Sequence, residues 1–245
     1  MRPYFPYGLD APPVVRALGI GAALCWVGSL LGPMGFFHVR IYGLIWPALS
    51  LTLGAVLMVW NSRIGKVRAR EKLLDRLSWR GDETVLDVGC GYGLLAVAAA
   101  RRVPRGLAIG LDIWRQADLG SNHPDHPRRN AMHEGVADRV LISTADMRLM
   151  PFADACFDIV VSSVAIHNVP DAAGRLAALE EIVRVLKPSG AILIDDIRHD
   201  RDYAAFFKSR HCHVRTERGM SFWFWRVFSF TAMSPAVTLV RKKAA

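Results

Sequence analysis

Two long apolar stretches open the chain. Residues 17–37 and residues 41–60 contain no charged side chain, and each matches the roughly 20 residues that a helix needs to cross a bilayer. The three residues between them allow only a tight antiparallel return, so both ends of the pair lie on one side. We predict a transmembrane hairpin within residues 1–62. A buried helical pair in a soluble fold is the alternative, although core helices seldom run this long without a polar face.

From residue 83 onward, the pattern changes to short apolar runs that alternate with helix-like segments. Helical spacing covers residues 94–102 and 172–186. The apolar runs are strand-like and occupy residues 83–88, 107–111, 140–144, 159–163 and 191–194, followed by two more near Val214 and Val237. Such alternation is typical of an α/β domain with a doubly wound, mostly parallel sheet, and we assign this domain to residues 83–245.

The segment between these two regions, residues 63–82, is basic. It holds seven Lys and Arg side chains against three Asp and Glu. Leu73, Leu74 and Leu77 recur at helical spacing, which predicts a juxtamembrane helix over residues 67–79. Positive charge beside a membrane span indicates the cytoplasmic side, so we expect a cytoplasmic α/β domain. Six of the nine net positive charges precede Glu83, which favours an anionic membrane surface over nucleic acid as a partner.

The cysteines and histidines do not indicate a metal site. The four cysteines are scattered and include no C-x-x-C pair, which argues against a disulfide framework and a zinc site. Two histidine pairs, at positions 123/126 and 211/213, have no second pair of ligands. We therefore expect no metal.

The strongest chemical signal follows the first strand. Asp87 precedes three alternating glycines, Gly89, Gly91 and Gly93, and position 94 is Leu. The spacing G-x-G-x-G differs from the dinucleotide fingerprint G-x-G-x-x-G. A carboxylate before the glycines would also repel a pyrophosphate, whereas it suits a ligand with a cationic or amino group. The turn therefore favours S-adenosylmethionine, and a NAD-dependent oxidoreductase is a disfavoured alternative.

Two further acidic residues end the next two strands. Asp112 lies nineteen residues after Gly93, where a carboxylate can accept both hydroxyls of a ribose. Asp146 follows the third strand, where it can accept a hydrogen from an adenine amino group while Met147 packs on the ring face. This order of carboxylates fits an adenosine-bearing cofactor.

The motifs continue through residues 149–158 and Lys187-Pro188-Ser189-Gly190, and their order resembles the class I S-adenosylmethionine-dependent methyltransferases, particularly the ubiquinone and menaquinone branch. The resemblance covers the chain from about residue 68 and implies a Rossmann-like sheet of seven strands. It also implies that Asp87 lies near the methionine amino group, Asp112 holds the ribose and Asp146 meets the adenine. The expected cofactor contacts are Asp87, Gly89, Cys90, Gly91, Gly93, Asp112, Ile113, Trp114, Ala145, Asp146, Met147 and Ser162.

His167 is the candidate general base. It follows the fourth strand at the edge where open α/β sheets bind ligands, and Asn168 beside it would orient the acceptor. Purely structural roles are the alternatives for both. Family members that methylate amino nitrogens of bases or glutamine carry Asn/Asp-Pro-Pro-Tyr/Phe after this strand. Here Ser162-Ser163-Val164-Ala165 stands instead, which argues against those substrates.

We therefore predict a membrane-anchored methyltransferase that acts on a small lipophilic acceptor: a quinone precursor, a phospholipid amine, or an apolar thiol or phenol. A non-catalytic, cofactor-binding membrane scaffold is the alternative. Two variable regions are expected near the acceptor. The polar loop within residues 114–137 is either part of a lid or a surface loop, and the aromatic segment 221–230 is either a core strand or a surface for lipid or substrate. The oligomeric state stays open.

Overall fold

The computed structural model describes residues 7–9, 11–30, 34–36, 39–41, 43–115, 122–219 and 235–242. The chain consists of two compact units, residues 1–69 and residues 70–245. The aromatic segment at 221–230 and residues 116–121 of the polar loop lie outside the described residues, so the predictions for them stay predictions.

The first unit is a pair of helices joined by a small β-hairpin. Helix α1 (Pro12–Leu30) is followed by strands β1 (Met34–Phe36) and β2 (Val39–Ile41), which pair antiparallel, and then by helix α2 (Ile45–Trp60). The two helices pack against each other, and Trp26 Nε1 of α1 donates a hydrogen bond to Thr52 Oγ1 of α2 at 3.0 Å.

The helices differ in extent from the predicted spans 17–37 and 41–60. Helix α1 begins earlier, at a proline, which is favourable in a first helical turn, and it ends at Leu30. Helix α2 begins at Ile45 because β1 and β2 pair instead of continuing the helices, and Gly43 has a φ of +87°. By length and composition, Pro12–Leu30 and Ile45–Leu74 are sufficient to cross a membrane, and 11% of each apolar window is buried.

A short π-helix (Asn61–Gly65) leads from α2 into α3 (Lys66–Leu74). The helix predicted over residues 67–79 therefore starts one residue earlier and ends at Leu74. Beyond the helix end, the carbonyl oxygen of Leu74 accepts hydrogen bonds from Leu77 N and, because Trp79 folds back, from Trp79 Nε1, both at 3.0 Å.

The second unit alternates strands and helices as predicted. Its helices are α4 (Leu94–Arg102), α5 (Asp125–His133), α6 (Ala172–Val185) and α7 (Asp200–Ser209). Its strands are β3 (Thr84–Val88), β4 (Leu107–Asp112), β5 (Val140–Thr144), β6 (Phe157–Ser163), β7 (Leu186–Asp196), β8 (His213–Glu217) and β9 (Ala236–Arg241). The sheet order is β5-β4-β3-β6-β7-β9-β8, and only β9 runs antiparallel to its neighbours. This confirms the predicted Rossmann-like, mostly parallel sheet of seven strands.

Both faces of this sheet are covered by helices. Successive residues of a strand point to opposite faces, so Val85 packs among residues of α3 and α4, while Leu86 packs among residues of α6 and α7. The strand order reverses between β3 and β6. In open α/β sheets, the crevice at the carboxyl ends of the strands around such a reversal binds the ligand, and the site residues lie at these strand ends.

Candidate cofactor and active site

The turn after β3 owes its shape to glycine. Gly89, Gly91 and Gly93 have φ values of +74°, +50° and +77°, a region that residues with a Cβ enter at a cost. Space is also short, since a Cβ on Gly89 would overlap the Cβ of Ala165, and one on Gly93 would lie 2.6 Å from Pro127 Cβ. The alternating glycines thus leave three positions of the turn without a side chain, so that a ligand can approach the main chain at the start of α4.

Asp87 lies beneath this turn. The side chain is buried, and its Oδ2 accepts a hydrogen bond from Ala96 N in the first turn of α4 at 2.9 Å. Burial raises the pKa of Asp87 from 3.8 to about 7, and the charge of Asp112 adds to the increase. Because burial disfavours the charged form, a cation beside this carboxylate would be strongly favourable. This electrostatic state suits the role predicted for Asp87 beside an amino group.

Asp112, at the end of β4, joins three segments. Its Oδ2 accepts a hydrogen bond from Gly91 N at 2.8 Å, and its Oδ1 accepts from Trp114 N at 2.7 Å and from Asn122 Nδ2 at 3.1 Å. Trp114 has a φ of +62°, and its indole donates to Thr144 Oγ1 of β5, while Ile113 is exposed. The predicted ribose carboxylate therefore lies directly beside the glycine turn.

The predicted adenine contacts follow β5. Ala145 N donates to Asp112 O at 3.2 Å, and Met147 Cε would lie 3.7 Å from a Cβ on Gly89, so this loop also reaches the glycine turn. Both oxygens of Asp146 accept hydrogen bonds from Arg148, at 2.6–3.0 Å, which hold the pKa of Asp146 below its usual value. An adenine amino group at Asp146 would have to share that carboxylate with Arg148.

Cys90 and Ser162, two of the predicted contacts, have buried side chains. The thiol of Cys90 lies against Gly110, and burial raises its pKa well above the usual value. The hydroxyl of Ser162 donates to Val88 O at 2.9 Å, which ties the end of β6 to the end of β3. These two residues would therefore contact a ligand through their main-chain atoms.

His167 lies in a short 3₁₀ turn (Ile166–Asn168) after β6. Its Nδ1 is 2.5 Å from Oδ1 of Asp196, at the end of β7, and its main-chain N donates to Asp196 Oδ2. The same carboxylate accepts hydrogen bonds from Tyr203 OH at 3.2 Å and from Ile197 N at 2.8 Å. Sequence reasoning missed Asp196 and Tyr203, although an acidic residue at the end of the neighbouring strand was an available signal.

The backbone before His167 is strained. Val164 has a φ of +53°, which is a genuine outlier for a β-branched residue, and its N–H donates to Asp195 O of β7 at 2.8 Å. Such strain persists only where the surroundings impose it, and it clusters at functional sites. The bend directs the chain so that Ala165 packs on Gly89, and Asn168 N donates to Ala165 O within the turn.

The described part of the polar loop forms one wall of the site. Helix α5 begins at Asp125 rather than at the predicted residue 128, and the rings of Tyr92 and His126 meet edge to face with centroids 4.5 Å apart. With Pro127 against Gly93, the start of α5 packs directly on the glycine turn. A ligand with a ribose and an amino group would fit the space formed by the glycine turn, the start of α5 and the carboxylate of Asp112.

The sequence of this chain is similar to those of known methyltransferases. A family model described as "Methyltransferase domain" matches residues 86–194, from β3 to β7. Methyltransferase GfsG of Streptomyces halstedii is 34% identical over 130 residues, which cover 53% of this chain and 43% of that protein. Demethylmenaquinone methyltransferase of Lactobacillus johnsonii is 33% identical over 125 residues, 50% of this chain and 47% of that protein. The chain thus spans about half the length of the curated relatives it matches.

A solved structure shows the same fold. Geranyl diphosphate C-methyltransferase from Streptomyces coelicolor A3(2), crystallised with S-adenosyl-L-homocysteine, superposes with a TM-score of 0.59 and 16% identity, over 78% of this chain and 83% of that one. The fold and the glycine turn define a nucleotide-binding α/β domain. Residues 86–194 match a methyltransferase domain and the relatives named above are methyltransferases, so this region is that of an S-adenosylmethionine-dependent methyltransferase, with S-adenosylmethionine as its cofactor.

A pair of glycine variants separates the effect of positive φ from the effect of the limited space around the turn. Gly89 and Gly135 both have positive φ, but a Cβ on Gly135 meets nothing within 4 Å, whereas one on Gly89 meets Ala165. We expect Gly89→Ala and Gly135→Ala each to lose about 1–2 kcal/mol of stability through the backbone. Only Gly89→Ala should also lose affinity for S-adenosylmethionine, by at least ~10-fold in calorimetry. Unchanged affinity of Gly89→Ala would contradict the site.

The buried carboxyl of Asp87 should affect stability between pH 4 and 7. Because folding raises its pKa from 3.8 to about 7, the native state holds a proton there that the unfolded state has released, so stability falls as pH rises, by up to about 4 kcal/mol. Asp87→Asn keeps an acceptor for Ala96 N but cannot titrate. We expect urea unfolding at pH 4.5 and 7.5 to show a smaller loss of stability in this variant. Equal losses would assign the effect to other groups.

Proposed function

We propose that the whole protein is a membrane-anchored methyltransferase that methylates a small lipophilic acceptor after removing a proton from it. The observation that carries this proposal is the contact between His167 and Asp196, at the carboxyl ends of β6 and β7. The best acceptors are a quinone precursor in its reduced, hydroxyl-bearing form and an apolar phenol or thiol. A phospholipid amine is the remaining candidate.

Methyl transfer requires the protein to align the reacting groups more than to activate them. S-adenosylmethionine supplies a methyl group that is already activated by a sulfonium, so transfer is an in-line displacement. The chain has to hold the ligand at the glycine turn and Asp112, and to direct the acceptor atom toward the methyl carbon. A base is needed only because the proposed acceptors are poor nucleophiles until they lose their proton.

His167 is oriented for this proton transfer. An ionised carboxylate can only accept hydrogen bonds, so Nδ1 of His167 donates to Asp196, and Nε2 becomes the basic nitrogen. The side chain of His167 is 11% exposed, which limits competition from water. Asp196 then has the role of the buried carboxylate in a catalytic triad, which holds the imidazole in one tautomer and stabilises the imidazolium that forms.

The surroundings hold the carboxylate of Asp196 in place. Tyr203 is buried, and burial together with the charge of Asp196 raises the pKa of the Tyr203 hydroxyl above its usual value. The hydroxyl therefore stays protonated and donates to Asp196 Oδ2. With the main-chain N–H groups of His167 and Ile197 and with Nδ1 of His167, the carboxylate has four hydrogen-bond partners, which fix its position.

Two kinds of observation support a lipophilic acceptor. The relative from Lactobacillus johnsonii is named for demethylmenaquinone, and the superposed Streptomyces structure for geranyl diphosphate. The helices α1 and α2 also carry apolar side chains that are exposed to between 58% and 72% of their surface, namely Ile20, Leu24, Trp46 and Leu53. Apolar surface of this extent is unfavourable in water and favours contact with lipid. The basic residues that follow α2 favour a cytoplasmic catalytic domain.

Variants of the base should separate binding from turnover. We expect His167→Ala and Asp196→Asn to lower turnover about 10²–10⁴-fold, because the first removes the base and the second favours the wrong tautomer. Their affinity for S-adenosylmethionine should stay within ~2-fold of the wild type. His213→Ala, on the exposed edge strand β8, is the control and should retain full turnover.

The measurement is formation of S-adenosylhomocysteine with lipid vesicles that contain reduced demethylmenaquinone, an apolar phenol or thiol, or phosphatidylethanolamine. Full turnover of His167→Ala would disprove the proposed base. Cofactor binding without transfer to any of these acceptors would favour the scaffold alternative.

Membrane insertion has a separate test. Wild-type protein in vesicles should remain bound during a carbonate wash at high pH, since an inserted hairpin is held by burial in lipid rather than by charge. The double variant Leu24→Arg/Leu53→Arg should be released, because each arginine costs about 2.5–3.5 kcal/mol at mid-membrane. Leu176→Arg, at an exposed apolar position of α6, is the matched control and should stay bound. Release of the wild type would contradict the anchor.

A further inference from the structure

One buried polar atom beside the glycine turn has no partner. Asn122 is 5% exposed and lies in the wall segment just before α5. Its Nδ2 donates to Asp112 Oδ1 at 3.1 Å, whereas its Oδ1 has no hydrogen-bond partner in the part of the chain that the structure describes. Buried polar groups are nearly always paired, and an unpaired one destabilises the folded state. Such an atom beside a binding site therefore points to a ligand that completes it.

The orientation of this amide follows from its neighbour. The carboxylate of Asp112 can only accept hydrogen bonds, so the amino side of Asn122 must face it and the carbonyl side must point away. Oδ1 and Nδ2 of Asn122 are bonded to the same carbon atom. The unpaired acceptor therefore lies close to the predicted ribose carboxylate, Asp112.

Asp112 alone has little remaining capacity for a ribose. A carboxylate offers about four acceptor sites, and three are taken by Gly91 N, Trp114 N and Asn122 Nδ2. The two neighbouring hydroxyls of a ribose are two donors. One remaining site on Asp112 therefore serves one hydroxyl, and the second hydroxyl needs another acceptor close by.

We infer that Asn122 Oδ1 accepts a hydrogen bond from one ribose hydroxyl of S-adenosylmethionine, while Asp112 accepts from the other. The amide thus has two functions: its amino group holds Asp112, and its carbonyl group binds the cofactor. This inference rests on the cofactor-binding role of Asp112 and adds a residue that the sequence motifs do not include. The packing of α5 on the glycine turn, through Pro127 against Gly93, keeps the wall segment beside the ribose position.

The test pairs a variant with ligands that lack one hydroxyl. Calorimetry of the entire 245-residue chain in detergent would compare S-adenosylhomocysteine with its 2′-deoxy and 3′-deoxy analogues. We expect Asn122→Ala to weaken binding of S-adenosylhomocysteine about 5- to 10-fold, and to weaken binding of one deoxy analogue less than ~2-fold, because that analogue has already lost the hydrogen bond. Asn122→Ser, a smaller polar residue, gives the same comparison if Asn122→Ala unfolds.

A second buried asparagine provides the control. Asn130 is 2% exposed, and its Nδ2 donates to Tyr92 O at 2.8 Å. Asn130→Ala should change the affinity for all three ligands by the same factor. The same uniform loss in Asn122→Ala would overturn the inference, because it would mean that the amide only positions Asp112 or binds a water molecule. Failure of the proposed function looks different: binding would follow the expected pattern, but no acceptor would be methylated.

Discussion

The carboxyl end of β4 holds the glycine turn in position, and the rest of the site depends on this contact. Leu111 O accepts hydrogen bonds from both Gly89 N and Cys90 N, at 2.8 and 3.1 Å, and Asp112 Oδ2 accepts from Gly91 N. Because β3 and β4 pair in parallel, with Val88 opposite Leu111, the strand register delivers these acceptors to the turn. The position of the turn relative to the predicted ribose carboxylate is therefore a consequence of sheet pairing.

Asp196 organises the ends of the neighbouring strands in a similar way. Asp196 collects four donors at the end of β7, and it holds the ring of His167 at the end of β6. The two halves meet where the strand order reverses, because Ala165 packs so closely on Gly89 that no Cβ fits between them. The contact between Gly89 and Ala165 thus links the glycine turn to the segment that carries the candidate base. The strained backbone of Val164 makes this contact possible.

The sequence identified those features whose physical cause is local. Alternating glycines predict a turn that needs positive φ, and Gly89, Gly91 and Gly93 all have it. Apolar periodicity predicted the order of strands and helices, and helix α4 has the bounds that were expected. The extent of α1 and α2 was less predictable, because an uncharged stretch does not reveal that residues 34–36 and 39–41 pair as strands.

The partners of the site residues were decided by tertiary structure. His167 could be selected by its position after the fourth strand, but Asp196 lies 29 residues away and reaches it only because β6 and β7 pair. Likewise, Asn122 donates a hydrogen bond to Asp112 from ten residues further along the chain. The sequence alone therefore determined the fold class, the cofactor turn and the order of the carboxylates, since these depend on backbone preferences and periodicity among near neighbours. Only the tertiary structure decided which groups hold each carboxylate and which polar atom is left for a ligand, because hydrogen bonds between distant segments depend on how the chain crosses the sheet.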